Sequence, residues 1–167
     1  EEMNYNFENS ALLELIDGNY EIKKEDIVTG DHIGQGFFGE VFVATYNDRE
    51  NSTEMIVAIK TVKNADKNYD KFLDEAKKIK SLQSHHIVKL IGFVLKREPW
   101  IVMEYMENKD LCKYLRDNKP NDMPTEVAVG YFQFVDTPRA PIRAFHDMAI
   151  EIADGMAYLA ANNCVHR

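Results

Sequence analysis

Cysteine is scarce in this chain of 167 residues, which has only two. Cys112 and Cys164 stand far apart, so they offer neither a disulfide framework nor the close spacing of a metal site. Reduced thiols in a cytosolic setting are the default expectation for such a pair. A surplus of positive charge is missing too. Lys and Arg number 20 against 28 Asp and Glu, a formal charge of −8. A nucleic-acid footprint needs a basic face, and the sequence shows none. Long apolar runs are also absent. A bilayer span takes about 18 or more apolar residues, and the nearest approach, His86 to Leu95, is broken by Lys89. No leader-peptide pattern is visible.

What is there suits one ordinary globular domain: 45% of the residues are apolar. The charge is uneven. Residues 1–31 hold nine acidic side chains against Lys23 and Lys24, and the remainder is nearly neutral. The plain interpretation is a solvated tail followed by an approach strand. Residues 1–19 form an acidic, polar lead-in with a short apolar patch, Leu12, Leu13, Leu15 and Ile16, enough for one helical turn.

Hydrophobic periodicity places the elements. Tyr20 to Ile33 is an approach segment and first strand, Val41 to Tyr46 a second, and Met55 to Val62 a third. The spacing of Phe72, Ala76, Ile79 and Leu82 predicts a helix over Lys67 to Leu82. Two further strands, Ile87 to Leu95 and Trp100 to Tyr105, flank a turn at Lys96 to Pro99. A short helix over Lys109 to Leu115 precedes a proline-containing loop from Arg116 to Ala140. Ile142 to Ala161 is the longest helix, with Phe145, Met148, Ala149, Ile152, Met156 and Leu159 as its apolar stripe. Five strands with one helix between the third and fourth, then helices, make an α+β pattern built on a small antiparallel sheet.

Gly34, Gly36 and Gly39 stand at G-x-G-x-x-G spacing. Dinucleotide-binding folds share that spacing, but there the glycines open a helix whose N-terminus holds the pyrophosphate. Here they run into Glu-Val-Phe-Val-Ala-Thr-Tyr, which alternates as a strand does. Strand, glycine loop and strand make a flexible lid whose backbone N–H groups can lie over phosphates.

Lys60 ends the otherwise buried run Val57-Ala58-Ile59. An ammonium there costs free energy unless it is paired. A nucleotide phosphate and a carboxylate are natural partners, and Glu75 on the amphipathic helix supplies the second. The plainer alternative is a strand-end lysine that snorkels to water.

Five motifs occur in the order and spacing of a protein kinase catalytic domain: Gly34-x-Gly36-x-Phe38-Gly39-x-Val41, Val57-Ala58-Ile59-Lys60, Phe72-Leu73-Asp74-Glu75-Ala76, Met103-Glu104-Tyr105-Met106 and Val165-His166-Arg167. The resemblance covers residues 20–167. The runs His85 to Gly92 and Asp110 to Arg116 are similar to the tyrosine kinase group, and Met148 to Leu159 resembles the insulin receptor class within it. Tyr20 stands where that class usually has tryptophan, the turn before Trp100 is one residue short, and the loop from Arg116 to Ile142 is idiosyncratic.

The resemblance implies a five-stranded antiparallel N-lobe with one regulatory helix over residues 20–104, and hinge and first C-lobe helices over 105–167. Residues 1–19 would be a juxtamembrane-like lead-in. It implies ATP as phosphate donor, with Gly34, Gln35, Gly36, Phe38 and Gly39 over the phosphates and Ile33, Val41 and Ala58 as the roof over adenine. Lys60 would hold the α- and β-phosphates, braced by Glu75. Met103 would be the gatekeeper, Glu104 and Met106 the hinge, and Asp110 a ribose contact. Ile79, Leu90 and His166 would belong to the packed spine. It further implies protein tyrosines as substrates, a receptor dimer partner, and a place on the cytoplasmic face of the plasma membrane.

The family's catalytic aspartate follows His-Arg, where these residues stop, and its Mg²⁺ ligands lie further on. The 167 residues by themselves are therefore expected to be inactive. A pseudokinase or truncated binding module that docks partners without catalysis is the alternative. The adjacent His85 and His86 point apart on extended backbone and lack a third ligand, so no metal site is expected. Cys164, in apolar company, is expected to be an inert thiol.

Overall fold

The computed structural model describes residues 20–35, 39–62, 65–96, 98–117 and 140–165, with backbone alone at 65–67 and 140–143. Five strands, β1 (Ile27–Gln35), β2 (Glu40–Asp48), β3 (Thr53–Thr61), β4 (Leu90–Val94) and β5 (Trp100–Glu104), form one sheet in the order β1-β2-β3-β5-β4. Every neighbouring pair is antiparallel. Among the described residues there are three α-helices: α1 (Ala65–Ser81), α2 (Leu111–Asp117) and α3 (Ala140–Ala161). The α+β class with a five-stranded antiparallel sheet is thus the observed one. The chain divides into two compact units, Glu1–Tyr105 and Met106–Arg167.

The alternation of β3 gives the sheet two different faces. Val57 and Ile59 point to one side, where Ile22, Ile27, Ala44, Val94, Trp100 and Val102 complete a buried cluster. On the other side α1 lays down Phe72, Leu73 and Ala76 against Leu90, Phe93, Leu95 and Ile101. These two clusters are the core of the first unit. Burying a side chain such as Phe93 or Ile59, both fully enclosed, stabilises by about 1.5–3 kcal/mol.

The approach segment crosses from one face to the other at the β4 edge. Tyr20 accepts a hydrogen bond at its carbonyl from the Phe93 N–H at 2.7 Å, and the Ile22 N–H donates to the Phe93 carbonyl at 2.8 Å. Gly92 makes this possible, because a Cβ there would sit 2.5 Å from the Tyr20 carbonyl oxygen. A 3-10 turn, Lys24–Asp26, then leads into β1. Lys24 stacks over Trp100, Glu25 pairs with Lys96, and Asp26 meets Arg49 at 2.5 Å without the alignment of a hydrogen bond.

Several boundaries differ from the sequence-based ones. The strand expected over Ile87 to Leu95 begins only at Leu90. Ile87 donates its N–H to the Ser84 carbonyl and so belongs to a turn, while the Lys89 N–H is taken by the Glu104 carboxylate. β2 and β3 run longer than expected because the turn between them is tight. Asp48 accepts the Glu50 and Asn51 N–H groups at 3.0 and 3.1 Å, and Ser52 takes φ 54°. Leu82 falls just past the end of α1.

In the second unit α3 ends in a left-handed cap. Asn163 has φ 54°, and the Cys164 N–H reaches back to the Leu159 carbonyl at 2.9 Å. The apolar stripe of α3 is covered only in part. Leu159 and Gly155 are buried and Phe145 and Met148 half-buried, but Ala149, Ile152 and Met156 are exposed. Cys164 is half-buried and Cys112 exposed. The loop from 118 to 139 lies outside the described residues.

Candidate functional site

Sheet register brings four of the singled-out residues of the first unit to one face. Val41 lies opposite Lys60, Val43 opposite Ala58, and Ala58 in turn opposite Met103. Directly opposed residues of antiparallel strands share a face. Val41, Ala58, Lys60 and Met103 therefore line the same side of the sheet, the side that also receives α1. Ala58 is buried, Val41 and Met103 are half-buried, and Ile33 is exposed.

Lys60 and Glu75 meet across that face. The Nζ–Oε1 distance is 2.5 Å, with side chains 21% and 31% exposed. The strand sets this up by placing Lys60 beyond the buried Val57–Ile59 run. The helix sets it up by spacing: Phe72 and Ala76 are buried against the sheet, and Glu75 falls between them on the same flank. Of the two partners open to Lys60, the carboxylate is the one observed, and the lysine does not simply snorkel to water. One face of its ammonium environment is thereby fixed, leaving a partly exposed cation beside the apolar Val41 and Ala58.

The glycine loop is anchored at both ends. Gly34 pairs with Val41 and Gln35 with Glu40, closing the β1–β2 hairpin. Gly36 and Phe38 lie outside the described residues. Gly39 is buried against the end of β3, where a Cβ would be driven into the Thr61 carbonyl, so only glycine fits. Thr61 adds a side-chain tie, its Oγ1 donating to the Glu40 carbonyl at 3.3 Å. Gly34, by contrast, has ordinary room, with Val41 Cβ at 3.9 Å.

Met103 packs with Ile79 against the cluster that contains Leu90. His166 lies outside the described residues. Glu104 uses its carboxylate on the Lys89 N–H at 2.5 Å and donates its own N–H to the Lys89 carbonyl at 3.0 Å. Its side chain thus pins the end of β5 to the approach to β4. In the second unit, Met106 is exposed and accepts the Lys109 N–H at 3.1 Å. Asp110 caps α2, accepting the Lys113 N–H at 2.8 Å. One carboxylate oxygen of Asp110 thus has a structural partner.

Thr61 and Asn68 are residues that sequence reasoning passed over. With Lys60, Val62, Phe72, Glu75 and Ile101 they line a small cavity behind the ion pair. The signal for Asn68 was available: it stands two helical turns before Glu75, on the same flank of α1. Among the described residues no three His, Cys, Asp or Glu side chains are grouped to hold a metal ion. His85 and His86 are both exposed in the turn after α1.

A model of the family "Protein tyrosine and serine/threonine kinase" matches residues 27–167. The chain is similar to the insulin-like receptor of Drosophila melanogaster, at 36% identity over 94% of this chain and 8% of that protein. It is 37% identical to the insulin-like growth factor 1 receptor of Xenopus laevis over 95% of this chain and 11% of that protein. Against the insulin receptor-related protein of Cavia porcellus the identity is 38%, over 95% and 12%. The chain spans about a tenth of the length of these relatives.

Proposed function

The chain belongs to the protein tyrosine and serine/threonine kinase family, and on that premise we propose that it is the ATP-binding part of a receptor-type protein tyrosine kinase. The Lys60–Glu75 contact at 2.5 Å carries this reading. A cation held extended by a carboxylate, on the same sheet face as Val41, Ala58 and Met103, suits a nucleotide whose base is apolar-faced and whose tail is anionic. Residues 20–104 would act as the N-lobe, and 105–167 as the hinge and first C-lobe helices.

Each residue then has a physical task. Ile33, Val41 and Ala58 cover the adenine and exclude water. Met103 closes the back, and the backbone at Glu104 and Met106 meets the base edge. Gly34, Gln35, Gly36, Phe38 and Gly39 bring backbone N–H groups over the phosphates, with Gly39 seating the loop on Thr61. Lys60 neutralises charge on the α- and β-phosphates, and Glu75 keeps it from folding back to solvent. Asp110 offers its second oxygen to the ribose while capping α2.

Transfer to a tyrosine hydroxyl would need a group that orients that hydroxyl and a Mg²⁺ to neutralise phosphate charge. Among the described residues no three His, Cys, Asp or Glu side chains are grouped to hold that ion, and no step here runs through it. The names of the relatives support a setting in receptor signalling; the cytoplasmic face of the plasma membrane, protein tyrosines as substrates and a second receptor chain as partner belong to the proposal. No described helix is long and apolar enough to cross a membrane.

The test is phosphate transfer from ATP to a tyrosine peptide by the longer protein that contains this chain. Activity that Lys60→Met abolishes is the expected result. A folded longer protein that binds partners but transfers nothing would instead make the chain a docking module.

A further inference from the structure

The two limbs of the glycine loop are held unequally. The leading limb ends β1, whose register with β2 slips between Thr29 and His32 and again between His32 and Gly34. Such slips disrupt a ladder locally. The return limb starts β2, whose pairing with β3 is unbroken from Val41 opposite Lys60 to Asp48 opposite Thr53. Packing shows the same asymmetry. A Cβ on Gly34 would meet nothing closer than Val41 Cβ at 3.9 Å, but one on Gly39 would be driven into the Thr61 carbonyl. The return limb thus rests directly on the last residue of β3.

Thr61 has a second hold on the same limb. Its hydroxyl lies between the two backbone groups of Glu40, accepting from the N–H at 3.4 Å and donating to the carbonyl at 3.3 Å. Both contacts are long, so each is weak by itself, and they act together with the close seat of Gly39. The Thr61 side chain in this way continues the β2–β3 ladder one residue past the Val41 and Lys60 pair. One residue back along β3 stands Lys60, whose ammonium meets Glu75. Lys60, Thr61 and Glu75 also line one small cavity. Two adjacent residues of β3 therefore fix both the cation and the start of β2 beside it.

We propose, on the basis that this sheet face holds a nucleotide, that Thr61 is a positioning residue for the phosphate tail. It sets how far the return limb, Gly39 and Glu40, stands from the Lys60 ammonium, and the phosphates occupy that interval. Thr61 itself touches no ligand atom; it acts through Gly39 and Glu40. The base is covered by Ile33, Val41 and Ala58, which the Thr61 hydroxyl does not hold. Loss of the hydroxyl releases Glu40 while leaving the β2–β3 ladder and the Lys60–Glu75 pair in place. The effect on binding must then grow with the number of phosphates and vanish for a bare nucleoside.

Titration of the full 167-residue chain with adenosine, ADP and ATP, followed by amide shifts, tests this. Two variants are compared: Thr61→Val, which keeps the branched shape, and Thr61→Ser, which keeps the hydroxyl. The expected result is ATP binding about fivefold weaker in Thr61→Val, the equivalent of about 1 kcal/mol. ADP should lose less, adenosine nothing, and Thr61→Ser should restore ATP binding. An equal loss for all three ligands would make Thr61 a structural residue only and overturn the proposal. Unchanged ATP affinity in Thr61→Val, or serine no better than valine, would overturn it as well. In each of those cases the unaltered chain still binds ATP, so the nucleotide site stands. Failure of the unaltered chain to bind ATP would overturn the nucleotide site and the role of Thr61 together. Thr61→Ala gives the same comparison should the valine chain fail to fold.

Discussion

Breaking the Lys60–Glu75 pair is the perturbation whose size the structure allows to be worked out. Exposed ion pairs contribute about 0.2–1 kcal/mol, and stranding one charge of a buried pair costs about 3–5 kcal/mol. With the two side chains 21% and 31% exposed, the pair falls between these limits. Solvent reaches both groups and screens part of the attraction, so Lys60→Met or Glu75→Gln alone is expected to cost about 1–2 kcal/mol. Lys60→Met strands a half-buried carboxylate beside Phe72, whereas the double substitution leaves no charge unpaired. The double variant should therefore lose about 1 kcal/mol less than the sum of the singles. Thermal unfolding followed by circular dichroism reads this, since 1 kcal/mol moves the midpoint of a small domain by about 4–8 °C. Additive losses, within about 0.3–0.5 kcal/mol, would refute the claim that the two side chains are held together in solution.

Two further outcomes follow from the same structure. Gly92→Ala places a Cβ 2.5 Å from the Tyr20 carbonyl and 2.7 Å from Ile22 Cδ1. Two backbone hydrogen bonds, each contributing about 1 kcal/mol, should be lost, seen as faster exchange of the Ile22 and Phe93 amides; unchanged protection would contradict the close approach. Tyr46 is held above the ordinary phenol value first by burial, then by the charges of Asp48, Asp26 and Glu50. Its raised value stabilises the fold fully below the unfolded pKa of about 10, and that share is lost as pH rises through the folded value. Tyr46→Phe should flatten the alkaline fall in the unfolding midpoint, and an unchanged slope above pH ~10 would show that Tyr46 has no part in it.

Most of the sheet was legible because its strands alternate. Val57-Ala58-Ile59 reads as buried on both faces, and it is. The Lys60–Glu75 contact was legible because a buried strand cannot end in a bare ammonium, and one helix offered a carboxylate at the right pitch. Helix α1 came out within two residues at either end for the same reason. Other features depend on contacts between distant residues that no local pattern carries. The β4 strand starts late because Lys89 gives its N–H to Glu104, fifteen residues away. Gly39 is constrained by the Thr61 carbonyl beneath it. Gly92 has no motif around it at all, and only the packing of Tyr20 and Ile22 explains it. The stripe of α3 was legible as a face from helical spacing, which does not say how much of that face is covered.

The central claim is that one face of the sheet holds ATP by way of Lys60. Amide and lysine side-chain shift mapping of the 167-residue chain, titrated with ATP, addresses it most directly. The account expects shifts concentrated at Gly34, Val41, Ala58, Met103, Glu104 and the Lys60 ammonium. It also expects binding at least about tenfold weaker, a change of about 1.4 kcal/mol, in Lys60→Met. Shifts scattered elsewhere, or an affinity unchanged by Lys60→Met in a chain whose spectrum shows it folded, would contradict it.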